Sequence, residues 1–336
     1  MEVELAADPS KLDAYNQSTG KNYQLPPDGA YQLGNSKVTI ETGKTVSTPL
    51  DIKANSDKFE PGVAYCLPVT IKNVNGGLGI LESSRTAYII FTKVIRTKVA
   101  QLSGNGSFEV PTFAGENSPV WAMSQFTIEF KVRPASLSSS VAESSINPIL
   151  GSHESFLARF GDGSSIPANK LNFAKVAIGQ AYHPDKKNHY EVTFDQTFEN
   201  DHWYHIAVTY DGSKVRYYLD GVLQAEKTTS GGYLNLAMSY GGHGWDDTFA
   251  IGRSYGDHWR FKGCISEVRI WTLARSQSEL QDGVCYVDPA SNGLLAYWRF
   301  NGEVQDDGTI RDLTGHGHDA HPKGSYQWVD NQKCPF

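Results

Sequence analysis

Alternation of apolar and polar positions is the dominant pattern in this chain, and it predicts strands. Phe126, Ile128, Phe130 and Val132 alternate with Thr127, Glu129, Lys131 and Arg133, as in a half-buried antiparallel strand. Ile206, Val208 and Tyr210 repeat the pattern, followed by Asp211-Gly212, then Val215, Tyr217 and Leu219, then Asp220-Gly221. Asp-Gly between alternating runs signals a hairpin, because both central residues of the favoured turn need positive φ. Two such signals in succession predict a three-stranded meander. One helix is expected in this region, over 276–280, where Ser276 and Glu279 have capping-box spacing and Gly283 can end it. Closer to the N-terminus, Asp8 can cap a short helix over 11–16 with Pro9 at its first position. Short strands are expected at 38–40 and 50–52. Tyr65, Leu67, Val69 and Ile71 share one strand face, and Ala87-Tyr88-Ile89-Ile90-Phe91 is apolar on both, as a buried strand would be. These patterns predict an all-β protein with sheet-on-sheet packing.

Composition divides the chain. All seven Trp and all ten His lie beyond residue 120, and residues 1–98 hold neither. The first 98 residues carry 11 basic and 10 acidic side chains, against 19 and 27 in the remainder. Two domains of different character are therefore expected, 1–98 and 99–336. The net charge of −7, without a basic cluster, argues against a nucleic-acid partner. No apolar run approaches the ~18 residues of a membrane-spanning helix. Met1-Glu2-Val3-Glu4 has neither a basic nor an apolar leader character, which leaves the compartment open. Four cysteines are too few for a disulfide scaffold. Cys66 reads as a buried thiol. Cys285 and Cys334 either close a loop of about fifty residues, worth about 4 kcal/mol by the chain-entropy argument, or stay as free thiols.

Four runs in the first segment carry a resemblance: Leu12-Asp13-Ala14-Tyr15-Asn16, Asn22-Tyr23-Gln24-Leu25-Pro26, Val38-Thr39-Ile40-Glu41-Thr42-Gly43 and Tyr65-Cys66-Leu67-Pro68-Val69-Thr70-Ile71. Over about residues 2–98 the chain resembles an N-terminal β-sandwich module of extracytoplasmic lipoproteins from gut Bacteroidetes, often encoded in polysaccharide- or glycan-utilisation loci. The resemblance implies a cell-surface or periplasmic location. It also implies a membrane association made only through a lipid anchor on a longer precursor, and a further strand before residue 2. Residues 2–5 are then expected to form an edge strand or the tail of one.

A second resemblance covers about residues 100–325. Trp203-Tyr204-His205-Ile206-Ala207-Val208-Thr209-Tyr210-Asp211-Gly212, Val215-Arg216-Tyr217-Tyr218-Leu219-Asp220-Gly221 and Phe261-Lys262-Gly263-Cys264-Ile265-Ser266-Glu267-Val268-Arg269-Ile270-Trp271 look like the laminin-G-like, concanavalin-A-type jelly roll. Leu294-Leu295-Ala296-Tyr297-Trp298-Arg299-Phe300, leading to Asp312-Leu313-Thr314-Gly315-His316-Gly317-His318-Asp319, adds to it. The fold hosts lectins, adhesion modules, pentraxin-like proteins and glycosidases, so it implies no single activity. Such folds often hold one structural calcium. Here Gly104, Asn105 and the neighbourhood of Ser266 would supply it, but Ser266 stands where an Asp is common. Calcium is therefore expected to be weak or absent, and no other cofactor is expected.

The candidate chemistry is sugar recognition. The stretch from Tyr240 to Trp259 is dense in aromatics, polar hydrogen-bonding groups and glycines. A sugar's apolar C–H face stacks on Trp or Tyr, while its hydroxyls pair with Asp, His, Asn and Arg. Tyr240, His243, Trp245, Asp246, Asp257 and Trp259 are the expected glycan-binding residues, with His153, Arg159 and Tyr182 as a second candidate site. Trp203, Trp271, Trp298 and His205 read as packed fold residues. A glycosidase needs two carboxylates at defined spacing. The Glu-x-Asp-x-x-Glu string of the glucanases of this fold does not occur, and Glu191 and Asp195 lie about 13 Å apart along a strand. The run His316-Gly317-His318-Asp319-Ala320-His321 has no standard zinc spacing and reads as a turn. The expectation is a non-catalytic oligosaccharide-binding protein of a glycan-utilisation system, against the alternatives of a glycoside hydrolase and a protein-adhesion module.

Overall fold

The structure, a computed structural model, describes residues 1–60, 62–77, 79–152, 155–179, 187–237, 248–256 and 258–334. The chain forms two compact units, Met1–Ile95 and Arg96–Phe336.

The first unit contains β1 (Glu2–Ala7), β2 (Tyr31–Leu33), β3 (Lys37–Thr39), β4 (Ile52–Ala54), β5 (Ala64–Asn75) and β6 (Thr86–Thr92). Four of them form a sheet in the order β3-β1-β5-β6, and β2 pairs with β4. Strand β1 is not at an edge as expected, because β3 and β5 pair with it on both sides. The edge is β6, so its apolar run is not buried on both faces: Ile90 is 40% exposed. Asp8 does not cap the helix. Its carboxylate accepts from Ser10 Oγ at 2.6 Å and Lys72 Nζ at 2.8 Å, and that lysine holds it well below its usual range, at about 2. Pro9–Lys11 makes a 3₁₀ turn instead, and α1 (Leu12–Thr19) follows, with Tyr15 stacked 3.8 Å from Tyr88 of β6. Cys66 is a buried free thiol, and burial pushes its pKa up.

The second unit is a two-sheet sandwich entered through β7 (Ile95–Ser103). The expected boundary at 98/99 falls inside that strand, because a shift in composition marks a boundary only to within a few residues. After β7 come β8 (Gly106–Glu109), β9 (Phe126–Pro134), β10 (Asn147–Ser152), β11 (Phe156–Asp162), β12 (Ile166–Gly179), β13 (Lys187–His189) and β14 (Val192–Thr193). The meander follows as β15 (Tyr204–Tyr210), β16 (Lys214–Leu219) and β17 (Val222–Thr228). Then come β18 (Tyr233–Leu234), β19 (Ala250–Ile251), β20 (Arg253–Ser254), β21 (Trp259–Arg260), β22 (Lys262–Trp271), β23 (Leu294–Trp298), β24 (His321–Gly324) and β25 (Gln327–Cys334). One sheet runs β13-β12-β11-β10-β19-β8-β24 and the other β17-β16-β15-β9-β22-β7-β25. Phe126, Ile128, Phe130 and Val132 of β9 and Ile206, Val208 and Tyr210 of β15 enter the core between them, facing Phe156, Phe160 and Phe173.

The two hairpins of the meander differ. At Asp220-Gly221 both residues have positive φ, 49° and 69°. At Asp211-Gly212 only the glycine does, and the Asp211 carboxylate holds a longer turn by accepting from the Ser213 and Lys214 amides at 2.9 and 2.8 Å. The helix α2 (Gln277–Asp282) has the expected capping box, ends at Gly283, and buries Leu280 against Ala207 and Tyr218.

The polar face of β9 is not a solvent face. Thr127 and Glu129 are fully buried and Lys131 nearly so: Trp271 lies against Glu129, Leu273 and Arg275 engage Thr127, and Cys334 at the end of the C-terminal strand meets Lys131. Glu129 accepts from Trp271 Nε1 at 2.8 Å and lies 2.9 Å from His205 Nε2 and 3.4 Å from Arg269 Nη1. Arg269 also binds Glu267 and the Gly283 carbonyl, and Glu267 accepts from Tyr297 Oη and Arg299 Nε. Cys285 and Cys334 form a disulfide that ties the covering loop to the end of β25.

Candidate glycan-binding groove

The candidate site begins with a hairpin. Arg253 pairs with Arg260 and Ser254 with Trp259, and between them Tyr255 and Gly256 both adopt positive φ. A buried arginine holds this turn from beneath. Arg253 Nη1 donates to the Gly256 carbonyl at 2.8 Å, and its Nη2 pairs with Glu109 Oε1 at 2.8 Å. Glu109 belongs to β8, so the hairpin is fixed to the sheet by a charge-assisted bond. The hairpin presents Trp259 half-buried, with the Tyr255 and His258 rings edge-on to it at 4.7 and 4.5 Å.

Gly104, Glu143, Ser144, Ile146, Trp259 and Lys262 line a groove of about 540 Å³, joined by His258 and Arg260. Each segment has its own support. Lys262 is set by Asn147, whose Oδ1 accepts from its amide at 2.8 Å and whose Nδ2 donates to its carbonyl at 3.3 Å. Glu143 sits on the 3₁₀ turn Glu143–Ser145, which packs on Gly163 so closely that a Cβ there would lie 2.9 Å from the Glu143 Cα. Arg260 Nη1 donates to Ser107 Oγ at 3.1 Å, and His258 Nε2 lies 3.5 Å from Glu143 Oε1. The groove thus offers an indole, a buried apolar floor at Ile146 and hydrogen-bonding groups of both polarities, the combination a pyranose ring needs.

Of the six residues expected at the site, Trp259 lines this groove. Tyr240, His243, Trp245, Asp246 and Asp257 lie outside the described residues, as do His153 and Tyr182 of the second candidate. Arg159, also of that candidate, is buried and ion-paired with Asp162. Sequence reasoning missed Glu143, Ser144, Ile146 and Lys262. Arg260 and His258 stood beside Trp259 in the same loop, which was their only signal. Glu143 lies more than 110 residues away in a stretch with no pattern.

The other expectations can be placed as well. Trp271 and Trp298 are fully buried, and Trp203 and His205 nearly so. The 316–321 run is only in part the expected turn: a turn around 313–316 is held by the Asp312 carboxylate, which accepts from the Tyr297, Thr314 and His318 amides, while Ala320 bridges to Ile310 and His321 begins β24. Ser266 donates to the Arg299 carbonyl. It stands four residues along β22 from Lys262, the residue that pairs with Ser103, so it is about 13 Å from the Gly104 turn. Among the described residues no group of three or more His, Cys, Asp or Glu side chains could hold a metal, and no helix is long and apolar enough to cross a membrane.

Known proteins share the fold. A profile described as an N-terminal domain matches residues 1–78. The chain is similar to a crystal structure from Bacteroides ovatus ATCC 8483 that bears the provisional name of a carbohydrate binding protein. Identity is 24% and the TM-score 0.62, covering 98% of this chain and 88% of that one. It is more distantly similar to the heptameric SAP-like pentraxin of Limulus polyphemus, at 12% identity and TM-score 0.40, covering 69% of this chain and 98% of that one. The CBM40 of the Ruminococcus gnavus IT-sialidase, bound to α2,3 sialyllactose, gives 14% and 0.38, with 56% and 96% covered. No curated protein matches the chain. The profile of the concanavalin A-like lectin/glucanases superfamily matches residues 103–281, and the chain belongs to that superfamily.

Proposed function

We propose that this protein is a non-catalytic glycan-binding protein and that the groove around Trp259 holds its ligand. The observation that carries this reading is the half-buried indole in a polar groove, set on a hairpin that Arg253 braces. The name given to the Bacteroides ovatus protein agrees with it. Tyr240, His243, Trp245, Asp246 and Asp257 are proposed as further ligand contacts on the strength of their residue types. The reading includes no cofactor and at most a weakly held calcium. It places the protein in glycan utilisation at an extracytoplasmic surface, through a lipid anchor on its precursor, as the resemblance of its first segment suggests.

The buried carboxylates favour binding over hydrolysis. A glycosidase acid needs a raised pKa and access to the sugar. Burial pushes Glu129 up, but Arg269, His205 and Arg275 outweigh it and hold the group at about 2. Glu267 is spoken for by Arg269, Arg299 and Tyr297.

Trp259→Ala tests the reading on a glycan array followed by calorimetry. One sugar stacked on an indole contributes on the order of 1 kcal/mol, by analogy with aromatic pairs. Binding should weaken several-fold to tenfold, with the melting temperature nearly unchanged. Unaltered affinity would move the site elsewhere. Turnover of a labelled oligosaccharide would make the protein a hydrolase, and capture of a protein partner without any array signal would make it an adhesion module.

A further inference from the structure

We infer that the groove selects an acidic sugar, a pyranose bearing a carboxylate or a sulfate, and that Lys262 is the residue that reads the charge. This rests on the glycan-binding reading of the same groove. Among the described lining residues three are basic, His258, Arg260 and Lys262, and one is acidic, Glu143. That carboxylate lies 3.5 Å from His258 Nε2, an ion pair only when the imidazole is protonated. Lys262 is exposed, and its ammonium makes no ion pair among the described residues. It is also positioned. Asn147 fixes its backbone from both sides, and its side chain runs along Gly104, where a Cβ would come within 3.3 Å of Cε.

A lysine is a compact charge on a flexible stem, suited to an anion whose exact angle varies. Set in the same groove as an indole, it lets a ring stack while an anionic substituent meets the ammonium. In a protein of net charge −7 this local excess of base is not a reflection of overall composition. It would draw an anionic glycan into the groove against a repulsive background.

The test uses matched pairs that share a backbone and differ only in charge: oligogalacturonates and their methyl esters, and sulfated galactans and their desulfated forms. The wild-type chain should bind at least one acidic member about tenfold or more tightly than its neutral partner, and raising NaCl from low to high concentration should weaken only the acidic member. Loss of preference on methyl esterification identifies a carboxylate ligand, and loss on desulfation identifies a sulfate. Lys262→Met should bring the acidic member's affinity down to that of its neutral partner and so remove the preference. Lys262→Gln should do the same, and melting curves confirm that both variants fold.

If neutral glycans bind as well as acidic ones, or Lys262→Met leaves the ratio unaltered while Trp259→Ala still weakens binding several-fold or more, the acidic-sugar inference falls and the glycan-binding reading stands. If no glycan of any charge binds, both fall.

Discussion

Lys131 is the charge on β9 that burial treats least kindly. It is 4% exposed, donates to Cys334 Sγ at 2.7 Å and lies 5.4 Å from the Trp203 ring. Burial pushes its ammonium down to about 8; Arg269 and Arg299 add to this and Glu267 opposes it. Because the folded value lies below the unfolded one of 10.5, the folded state binds fewer protons between the two, so stability rises with pH from about 8 to 10.5. Below that window the cost is complete, up to roughly 3 kcal/mol at about 1.4 kcal/mol per pH unit. Lys131→Met should therefore melt higher than wild type at pH 7, with a margin that shrinks towards pH 10. Paired melting curves at pH 7, 8.5 and 10 check this, and a margin flat with pH would locate the effect elsewhere. Glu129, two residues earlier on the same face, is the contrasting case, since His205, Trp271 and Arg269 all engage its oxygens.

The elements that behaved as their sequences predicted are those whose signal closes on itself. In α2, Ser276 Oγ accepts from the Glu279 amide while the Glu279 carboxylate accepts from the Ser276 amide, so both halves of the cap lie within four residues. Ser276→Ala should cost about 1 kcal/mol in urea unfolding with an unchanged m-value. A loss of only a few tenths would mean that Leu280 packing and the bond from Gln281 to the Gly221 carbonyl hold the helix without its cap. The Asp8 cap was equally plausible locally and failed because Lys72, 64 residues away, takes the carboxylate. Strand β6 failed in the same way: its run fits a central strand, but its place at the edge is set by which strands pair.

The whole second unit depends on a cover held by a cross-link. Arg269 reaches the Gly283 carbonyl two residues before Cys285, and Cys285 is bonded to Cys334 at the end of β25. With the two cysteines 49 positions apart in sequence, the chain-entropy argument puts the bridge at about 4 kcal/mol. The double variant Cys285→Ser/Cys334→Ser should lower the melting temperature by roughly 8–16 degrees, at about 2–4 degrees per kcal/mol for a unit of this size, or fail to accumulate. Glycan binding measured below the new midpoint should survive, because Arg253, Glu109 and Asn147, which support the groove, lie outside the covering loop. Loss of binding in the folded variant would show that cover and groove are coupled.

The sequence by itself determined the all-β class, the meander, the capped helix, the burial of Trp271 and Trp298, and that Trp259 stands in an aromatic, glycine-containing stretch. Each of these is carried by residues within a few positions of one another, or by an indole with apolar neighbours on its own strand. Tertiary structure alone decided that β9 is buried on both faces, since what covers Glu129 comes from Trp271, 142 residues later. It alone made Cys285 and Cys334 partners rather than free thiols. It also assembled the groove, where Glu143, Trp259 and Lys262 meet. Periodicity shows which residues share a face; what that face meets depends on segments whose distance along the chain says nothing about their distance in space.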